Sequence, residues 1–494
     1  MTKSELSNSK LIKKNVLFNV FGMVVPLGLA VIATPFLVNG LGLVKFGLLT
    51  ICWAILGYFS FLDFGVSRSL TSTVARYRGQ DQLSNAWISC WTAIVTLLLV
   101  FLPAALLVYL FRQNLADLAL NPPVDLRADV VTCIGLIGLS LPVVVLTGVF
   151  KGGLEGFERF DITNLIRLPM AIWSYAGPVL LLPFTKSIVD VVLFLMLGRF
   201  VTMLLFGASL NRLRNGAAIH FSQGALADLF STGGWIGLST VMSPLMIFID
   251  RFVLAAKIAL EKVAYYTTPM DAVTKLLQPV DAVAGVFFPA LSRASQANPE
   301  EYQRLYRLMA ELISLLMLPC CLVIGLFSYE IMSLWISQEF ANNSSAVLSV
   351  LSVGVFANAL ARAPWMALQA NGRAKFTAQL QIFELLPYGI ALYWASSEFG
   401  VMGAALVWSL RVTLDAFFLF LAVDLADVSR QALIYWAGLA FSVATCSLMA
   451  SLSIKVVVAV LGVVILGYRV LGAFGVDSFS KIPARIRALK KNGN

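Results

Sequence analysis

The segment from Thr267 to Ser292 places polar and ionisable residues inside a hydrophobic run long enough to cross a bilayer. At about 100° per residue, its polar residues fall on one face of a helix. They are Thr267, Thr268, Asp271, Thr274, Lys275, Gln278, Asp281 and Ser292. The opposite face holds Leu276, Leu277, Val280, Ala284 and Phe287. Because ionisable groups are costly in lipid, this stripe should face protein or water. It predicts a hydrophilic path through a membrane protein, as in a transporter.

The charges of this stripe have two interpretations. In the first, Lys275 attracts an anionic substrate, while Asp271 and Asp281 bind a coupling cation or hold Lys275 in place. In the second, Asp271 and Lys275 lie one helical turn apart and neutralise each other, which gives them a structural role only. Thr and Gln residues continue the stripe beyond this pair, which favours a face that lines an aqueous space.

Other predicted membrane spans also carry cations. Arg167 lies near the inner end of the fifth span, and Arg199 lies close to the middle of the sixth. Arg411 lies in the twelfth span with Asp415 one turn later, and about ten mostly apolar residues on each side prevent it from snorkelling to the headgroups. Asp415 explains how Arg411 is tolerated but not why it is there. We therefore predict that these cations face a common cavity.

Two further positions suit either a role in binding cargo or ions or a purely structural role. Arg362 and Trp365 share a face of the tenth span, where a guanidinium fork and an aromatic ring would suit a phosphorylated sugar. Arg362 also lies near the inner end of its span, so snorkelling is an alternative. Asp63 ends the second span as a candidate for ion coupling, or as a helix-end carboxylate that pairs with Arg68. The interior cations outweigh any acidic cage, which favours a phosphate- or carboxylate-bearing cargo.

The composition indicates a polytopic membrane protein. The chain has 494 residues, of which 59% are hydrophobic and 13% charged, and its mean hydropathy is +0.86. About fourteen hydrophobic runs of spanning length predict an all-α fold. They are centred near residues 26, 56, 99, 140, 175, 198, 243, 278, 315, 352, 386, 411, 441 and 463. With the N-terminus inside, the inner loops and tails hold about 23 Lys and Arg and the outer loops about 8, so the net charge of +10 follows membrane topology rather than nucleic-acid binding. The inner set includes Arg76, Arg78, Lys151 and Arg159. We expect both termini in the cytoplasm. The first run, Val16–Leu37, is too long for a cleavable signal peptide.

The residues that most chemistry requires are scarce. The six cysteines show no metal-ligand spacing, and His220 is the single histidine, so we predict no metal site, no cofactor and no Ser–His or Cys–His catalysis. No P-loop occurs, which excludes ATP hydrolysis within the chain. The predicted outer loops are short, which disfavours a membrane-bound glycan polymerase or ligase. These observations favour a transporter over an enzyme.

Repeated landmarks suggest two related halves. Pro26 and Pro244, each followed by Leu, are separated by the same interval as Asp63 and Asp281. An interval of six spans keeps the same orientation in the membrane, so the halves would be parallel repeats. We predict a first lobe of six spans at residues 1–215, a second at 216–428, and spans 13 and 14 with a basic tail at 429–494.

Short motifs occur in a specific order along nearly the whole chain. They are Asn19, Pro26, Pro35-Phe-Leu and Phe46-Gly; Phe61-Leu-Asp-Phe-Gly65; Leu154-x-Gly156-Phe-x-Arg159-Phe160 with Asn164 and Arg167; and Asp250-Arg-Phe-Val-Leu254, Tyr265-Tyr266 and Phe288-Pro289-x-Leu291-Ser. Together they resemble the polysaccharide transporters of the Wzx flippase type, within the multidrug/oligosaccharidyl-lipid/polysaccharide exporter superfamily. This resemblance implies two six-helix lobes in a V, plus two C-terminal helices.

The resemblance also implies a function. Such flippases move undecaprenyl-diphosphate-linked oligosaccharides, the repeat units of O-antigen or exopolysaccharide, across the bacterial inner membrane by alternating access. It implies a lipid-linked oligosaccharide and membrane lipids as partners, together with a polymerase and other glycan-assembly proteins. Asp63, Asp271, Asp281 and Asp415 are candidates for coupling to a proton or sodium gradient. A multidrug cation antiporter and a lipid II flippase of the same superfamily remain alternatives, as does a membrane glycan polymerase or ligase.

Overall fold

A computed structural model describes most of the chain. It covers residues 28–60, 62–63, 65–120, 122–214, 216, 219–423, 434–440, 442–443, 453–458 and 460. The predicted first span is therefore described only from Gly28 onward. The predicted spans near residues 441 and 463 lie largely outside the described residues, as do Lys10, Lys13 and Lys14 and the basic tail at 481–491.

The described chain is helical and contains no strand. The helices of the first half are α1 (Gly28–Leu41), α2 (Leu43–Phe59), α3 (Val66–Gly79), α4 (Leu83–Leu110), α5 (Arg112–Ala119), α6 (Arg127–Leu139), α7 (Leu141–Gly156), α8 (Phe160–Leu181) and α9 (Ile188–Arg212). They continue with α10 (Gln223–Lys257), α11 (Leu260–Thr274), α12 (Leu277–Ala297), α13 (Pro299–Leu326), α14 (Ser328–Trp335), α15 (Gln338–Ala370) and α16 (Ala374–Val423).

Six helical segments of the described chain are long and apolar enough to cross a membrane. They are Leu83–Leu110, Val124–Gly156, Ile188–Arg212, Pro299–Leu326, Gln338–Ala370 and Lys375–Val423. The second of these unites α6 and α7, which the sequence predicts as one span. The prediction of an all-α membrane protein is therefore confirmed, whereas the count of fourteen spans stays a prediction.

Local sequence signals set several helix boundaries. Side-chain oxygens of Ser187, Ser222, Asn298 and Ser337 accept hydrogen bonds from the first backbone amides of α9, α10, α13 and α15. Within α16, Gly400 has φ 57° and ψ −135°, a conformation that a residue with a Cβ rarely adopts. The chain turns at this glycine, so α16 contains the two spans that the sequence predicts near residues 386 and 411.

The chain divides into two compact units. The first comprises Met1–Thr268 and Gln381–Ala404, and the second comprises Pro269–Leu380 and Ala405–Asn494. α11 and α16 therefore contribute residues to both units. The lobe boundaries predicted at residues 215 and 428 stay a prediction.

Each unit has its own hydrophobic packing. In the first unit, α3, α4, α7, α9 and α10 surround a cluster that includes Leu70, Cys90 and Val149. In the second unit, α13 and α15 pack closely, and Tyr306, Phe340 and Phe356 are fully buried. Because lipid and protein interiors are similarly apolar, close packing of this kind rather than water exclusion holds membrane helices together.

Candidate functional site

A cavity of about 340 Å³ lies within the first unit between α7, α8 and α9. Three cations line it, namely Lys151, Arg167 and Arg199. Its hydroxyl groups come from Ser60, Thr147, Ser174 and Thr202, and its apolar lining includes Val144, Met170, Ala171 and Phe206. We call this cavity the cationic pocket.

The cations of this pocket are only partly compensated. Lys151 Nζ lies 3.6 Å from Glu155 Oε1, one turn away on α7. Among the described residues, no carboxylate lies within ion-pair distance of Arg167 or Arg199. Arg199 is half-buried near the middle of α9, and Arg167 is exposed. Two unneutralised guanidinium groups beside one cavity create a site that attracts anions.

Close helix contacts position Arg199. A Cβ at the neighbouring Gly198 would lie 2.4 Å from the Trp173 indole, so only glycine leaves room for this ring against α9. The ring stacks on Phe194 at a centroid distance of 4.2 Å, and its Nε1 donates a hydrogen bond to the Phe194 carbonyl. These contacts fix α8 against α9 and present Arg167 and Arg199 to the same space.

A row of glycines positions Lys151. Gly148, Gly152 and Gly156 recur every four residues on α7, and a Cβ at each would meet α3 at Ser67 or Val74 within 2.5–3.0 Å. The Thr71 hydroxyl also donates a hydrogen bond to the Gly152 carbonyl across this contact. Small residues at this spacing permit close packing of membrane helices. The glycine spacing is visible in the sequence, whereas the prediction of an inner loop at Lys151 is wrong, because α7 continues to Gly156.

The polar stripe predicted from Thr267 to Ser292 is divided between two helices. α11 ends at Thr274 and α12 begins at Leu277, with Lys275 and Leu276 in the intervening turn. Thr267 and Thr268 are buried, whereas the Asp281 side chain is 55% exposed. The prediction of one continuous helix through the stripe is therefore wrong, and the path that the stripe would line stays a prediction.

Hydroxyl groups explain part of this difference. The Thr267 hydroxyl donates to the Val263 carbonyl and lies 3.1 Å from the Thr50 hydroxyl. The Thr274 hydroxyl donates to the Met270 carbonyl. A threonine that bonds to its own helix can be buried in protein without an aqueous neighbour. The threonines of the predicted stripe therefore do not indicate a helix face in contact with water.

The structure brings two of the other predicted site residues of the second unit into contact. Arg362 Nε lies 3.2 Å from Asp281 Oδ1, which pairs a predicted binding cation with a predicted coupling acid. Trp365 is partly buried and packs against Ala361 and Leu368 and the α16 residues Ala416 and Leu419. Arg411 and Asp415 are half-buried one turn apart on α16, and Asp271 is half-buried on α11.

Asp63 is buried at the start of α3. Its two carboxylate oxygens each accept a 3.1 Å hydrogen bond, one from the Gly65 amide and one from the Ser67 amide. Gly65 has φ 76°, which turns the chain so that both amides point back to the carboxylate. This arrangement resembles a helix N-cap. The Asp63 carboxylate thus binds backbone amides rather than the Arg68 side chain, which was the predicted structural alternative.

We expect Asp63→Ala to lower the free energy of unfolding by about 0.5–2 kcal/mol, because two amides at the start of α3 would lose their acceptor. Asp63→Asn should fall between Asp63→Ala and the parent protein in free energy of unfolding, since its single amide oxygen can keep one of the two hydrogen bonds. Thermal unfolding of the purified variants measures the difference. Equal destabilisation by Ala and Asn would contradict the capping role.

A second buried acid lies outside the cationic pocket. Asp250 on α10 is fully buried, and its carboxylate accepts hydrogen bonds from the Tyr266 hydroxyl and the Arg251 amide. Tyr266 is itself fully buried on α11. This cluster ties α10 to α11 inside the first unit.

Several cations predicted for the inner face form surface ion pairs. Arg76 pairs with Asp228, and Arg78 pairs with Glu158. Arg159 donates two hydrogen bonds to Asp161, which hold the pKa of that carboxyl below its usual range. These groups are 40% or more exposed, so each pair contributes little to stability.

A larger cavity in the first unit has different chemistry. It measures about 500 Å³ and is lined mostly by apolar side chains of α6, α8 and α9. Its one carboxylate, Asp190, accepts a hydrogen bond from the Thr185 hydroxyl. This cavity offers no cation, so the cationic pocket is the stronger candidate for a polar cargo.

Residues 12–295, more than half of the chain, match the model of the family described as Polysaccharide biosynthesis protein. The chain belongs to this family. The match includes all three cations of the cationic pocket. It agrees with the resemblance identified in the sequence motifs.

A relative supports the same assignment for this polysaccharide biosynthesis protein. A Shigella flexneri protein that carries the description O-antigen transporter is 30% identical over 406 residues, which cover 82% of this chain and 96% of the relative. The relative is a transporter, in agreement with the prediction of a transporter rather than an enzyme.

Solved structures establish the fold of this polysaccharide biosynthesis protein. The lipid II flippase MurJ in an inward closed conformation has a TM-score of 0.72 at 13% identity and covers 93% of this chain and 99% of MurJ. An inward-facing multidrug resistance transporter of the MATE family has a TM-score of 0.69 at 15% identity, covering 87% and 99%. The fold is that of the MOP superfamily of transporters, which includes this MATE protein. Together with the apolar helices, these likenesses and the family indicate a protein of the bacterial inner membrane.

Proposed function

We propose that the protein flips an undecaprenyl-diphosphate-linked oligosaccharide, such as an O-antigen or exopolysaccharide repeat unit, from the inner to the outer leaflet of the bacterial inner membrane. The family and the Shigella relative described as an O-antigen transporter support this function. The cationic pocket identifies the residues that we expect to bind the cargo. In this pocket, Arg167 and Arg199 have no carboxylate partner among the described residues.

The charge of the pocket suits the membrane end of such a cargo. A diphosphate carries negative charge, and guanidinium groups bind phosphate oxygens through paired N–H donors. A polyprenyl chain can stay in lipid while the polar headgroup crosses through a hydrated cavity. A cationic drug would be repelled by the same residues, which disfavours a multidrug antiporter.

The larger architecture belongs to the same proposal. We expect two six-helix lobes, residues 1–215 and 216–428, that rock to expose the cargo to either side of the membrane, with residues 429–494 appended. Both termini lie in the cytoplasm. Lys275, Arg362 and Arg411 of the second lobe extend the cationic path, and Trp365 supports Arg362. A polymerase and other glycan-assembly proteins receive the exported unit.

Coupling to a proton or sodium gradient would return the empty transporter. Asp271, Asp281 and Asp415 remain candidates for this coupling, together with Asp63. Asp281 already lies 3.2 Å from Arg362, so protonation of its carboxyl would release that guanidinium for an anionic cargo. Asp63 is the weaker candidate, because its two carboxylate oxygens already accept backbone amides at the start of α3.

Reconstitution tests this function directly. Purified protein is placed in liposomes that contain a fluorescent undecaprenyl-diphosphate oligosaccharide, and arrival of the label in the opposite leaflet is followed with a membrane-impermeant quencher. We expect flipping above that of protein-free liposomes, and a change in rate when a proton or sodium gradient is imposed.

Two parallel cargoes distinguish the alternatives. Liposomes with labelled lipid II test a cell-wall role, and uptake of a cationic dye tests multidrug exchange. Flipping of lipid II in preference to the oligosaccharide, or dye exchange without flipping, would refute the proposal.

A further inference from the structure

The hydroxyl groups of the cationic pocket share one hydrogen-bonding pattern. Ser60, Thr147, Ser174 and Thr202 each donate to the backbone carbonyl four residues earlier in their own helix, at 2.6–3.1 Å. A hydroxyl has one hydrogen to donate and two lone pairs that accept. Because their hydrogens are engaged, these groups offer acceptors to a ligand.

The donors of the pocket are the cations. Lys151, Arg167 and Arg199 carry N–H groups and no acceptor. On α7 and α8 the cation, Lys151 or Arg167, lies closer than the hydroxyl, Thr147 or Ser174, to the loop that joins these helices. On α9 the order is reversed, because Gly207 packs against Phe150 and Gly198 against Trp173, so that Arg199 lies farther from this loop than Thr202. The cations therefore flank the hydroxyls, and a matching ligand combines an anionic group with hydrogen-donating hydroxyls.

The size of the pocket limits the ligand. Its volume of about 340 Å³ lies at the lower end of the roughly 300–1,000 Å³ that is typical of small-molecule sites. An oligosaccharide repeat unit does not fit, whereas one sugar with one phosphate does. Met170 and Phe206 supply apolar surface for the carbon face of a sugar ring.

From these donors and acceptors and from the size of the pocket, we infer that the cationic pocket binds a single glycosyl phosphate, with its phosphate on Arg167 and Arg199 and its sugar hydroxyls donating to Thr147 and Thr202. The inference rests on the proposed function, because the cargo carries one sugar joined directly to phosphate at its membrane end. It assigns recognition of that sugar to the first unit, with the remaining sugars outside the pocket.

Titration calorimetry of the full-length protein in lipid nanodiscs tests the inference with three probes: a hexose 1-phosphate, the parent hexose and inorganic phosphate. We expect the hexose 1-phosphate to bind about tenfold more tightly than phosphate, since the sugar adds hydrogen bonds to neutral acceptors. The double variant Thr147→Val/Thr202→Val should lose this tenfold difference and retain phosphate binding within about twofold.

Thr96→Val is the matched control, because the Thr96 hydroxyl also donates four residues back, to the Thr92 carbonyl, but does not line the pocket. It should leave all three titrations unchanged. Equal affinity for hexose 1-phosphate and phosphate, or an unchanged ratio in the double variant, would overturn the inference.

Competition separates this inference from the proposed function. Lipid-linked oligosaccharide should displace the hexose 1-phosphate, and the double variant should flip it more slowly. Flipping by the parent protein without displacement, and at an unchanged rate in the double variant, overturns the inference and leaves the function standing. The expected binding pattern without any flipping supports the pocket's ligand class, with a free glycosyl phosphate as the ligand, and refutes the flippase function.

Discussion

Replacing Arg199 with Gln lowers the initial rate of oligosaccharide flipping in proteoliposomes by about tenfold or more. A hydrogen bond to a charged group contributes about 1.5–3 kcal/mol, and each 1.4 kcal/mol corresponds to about a factor of ten. Arg199 has no carboxylate partner among the described residues, so its loss leaves no orphaned acid in the membrane. Removing a membrane-buried charge should not destabilise the fold. A lower flipping rate in this variant therefore indicates that Arg199 interacts with the cargo.

The matched control is Arg127→Gln. Arg127 forms an exposed pair with Asp117, whose nearest oxygen lies 2.6 Å away, and it does not line the pocket. We expect its flipping rate to equal that of the parent protein. The flipping rate of Arg199→Lys should fall between those of Arg199→Gln and the parent protein, because an ammonium group keeps the charge but lacks the planar fork of N–H donors. If Arg199→Gln flips within twofold of the parent at equal protein amounts, the cationic pocket does not lie on the cargo route.

Sequence alone identifies Arg199 and Arg167, because an arginine in an apolar helix requires a partner or a cavity. It does not identify the pocket, because the partner of a helix face depends on which helices pack together. Lys151 illustrates this limit. Its place after a long apolar run suggests an inner loop, yet α7 continues to Gly156 and brings Lys151 into the pocket.

The stripe at residues 267–292 shows a second limit. Periodicity assumes one continuous helix, and the turn at Lys275 and Leu276 breaks that assumption. Neither residue is a strong helix breaker, but Pro279 lies four residues after Lys275. A proline has no N–H to bond to the carbonyl four residues earlier, and its ring clashes with that carbonyl, so Pro279 is the signal that could have predicted the turn. The Thr hydroxyls mislead in the same direction, since bonds to their own helix satisfy them without water.

The helical fold itself is easy to predict, because long apolar runs in a membrane form helices whose backbone groups are satisfied internally. Helix ends follow from Ser, Asn and Gly at the loops, as at Asn298 and Gly400. The pairing of Asp281 with Arg362 does not follow from sequence, since about eighty residues separate them. Each was assigned its own role, whereas the structure places them in contact.

The substitution Gly152→Ala should have the second large effect, because it disrupts the packing of α7 against α3. A Cβ at this position would lie 2.5 Å from the Ser67 carbonyl oxygen on α3. This oxygen belongs to the backbone, so α7 must move away from α3 as a whole. Overpacking of this kind costs typically about 1–3 kcal/mol. We expect a lower unfolding temperature and, because Lys151 is the adjacent residue, slower flipping of the lipid-linked oligosaccharide.

Gly285→Ala is the control for the same substitution in another helix. Gly285 lies inside α12, and nothing lies within 4 Å of a Cβ placed there. Alanine should be neutral or stabilise the helix by about 0.5–1 kcal/mol, since it restricts the unfolded chain. Thermal unfolding in detergent compares the two variants. Unchanged unfolding and flipping in Gly152→Ala would mean that α3 and α7 can separate freely, and the contact could not be what holds Lys151 at the pocket.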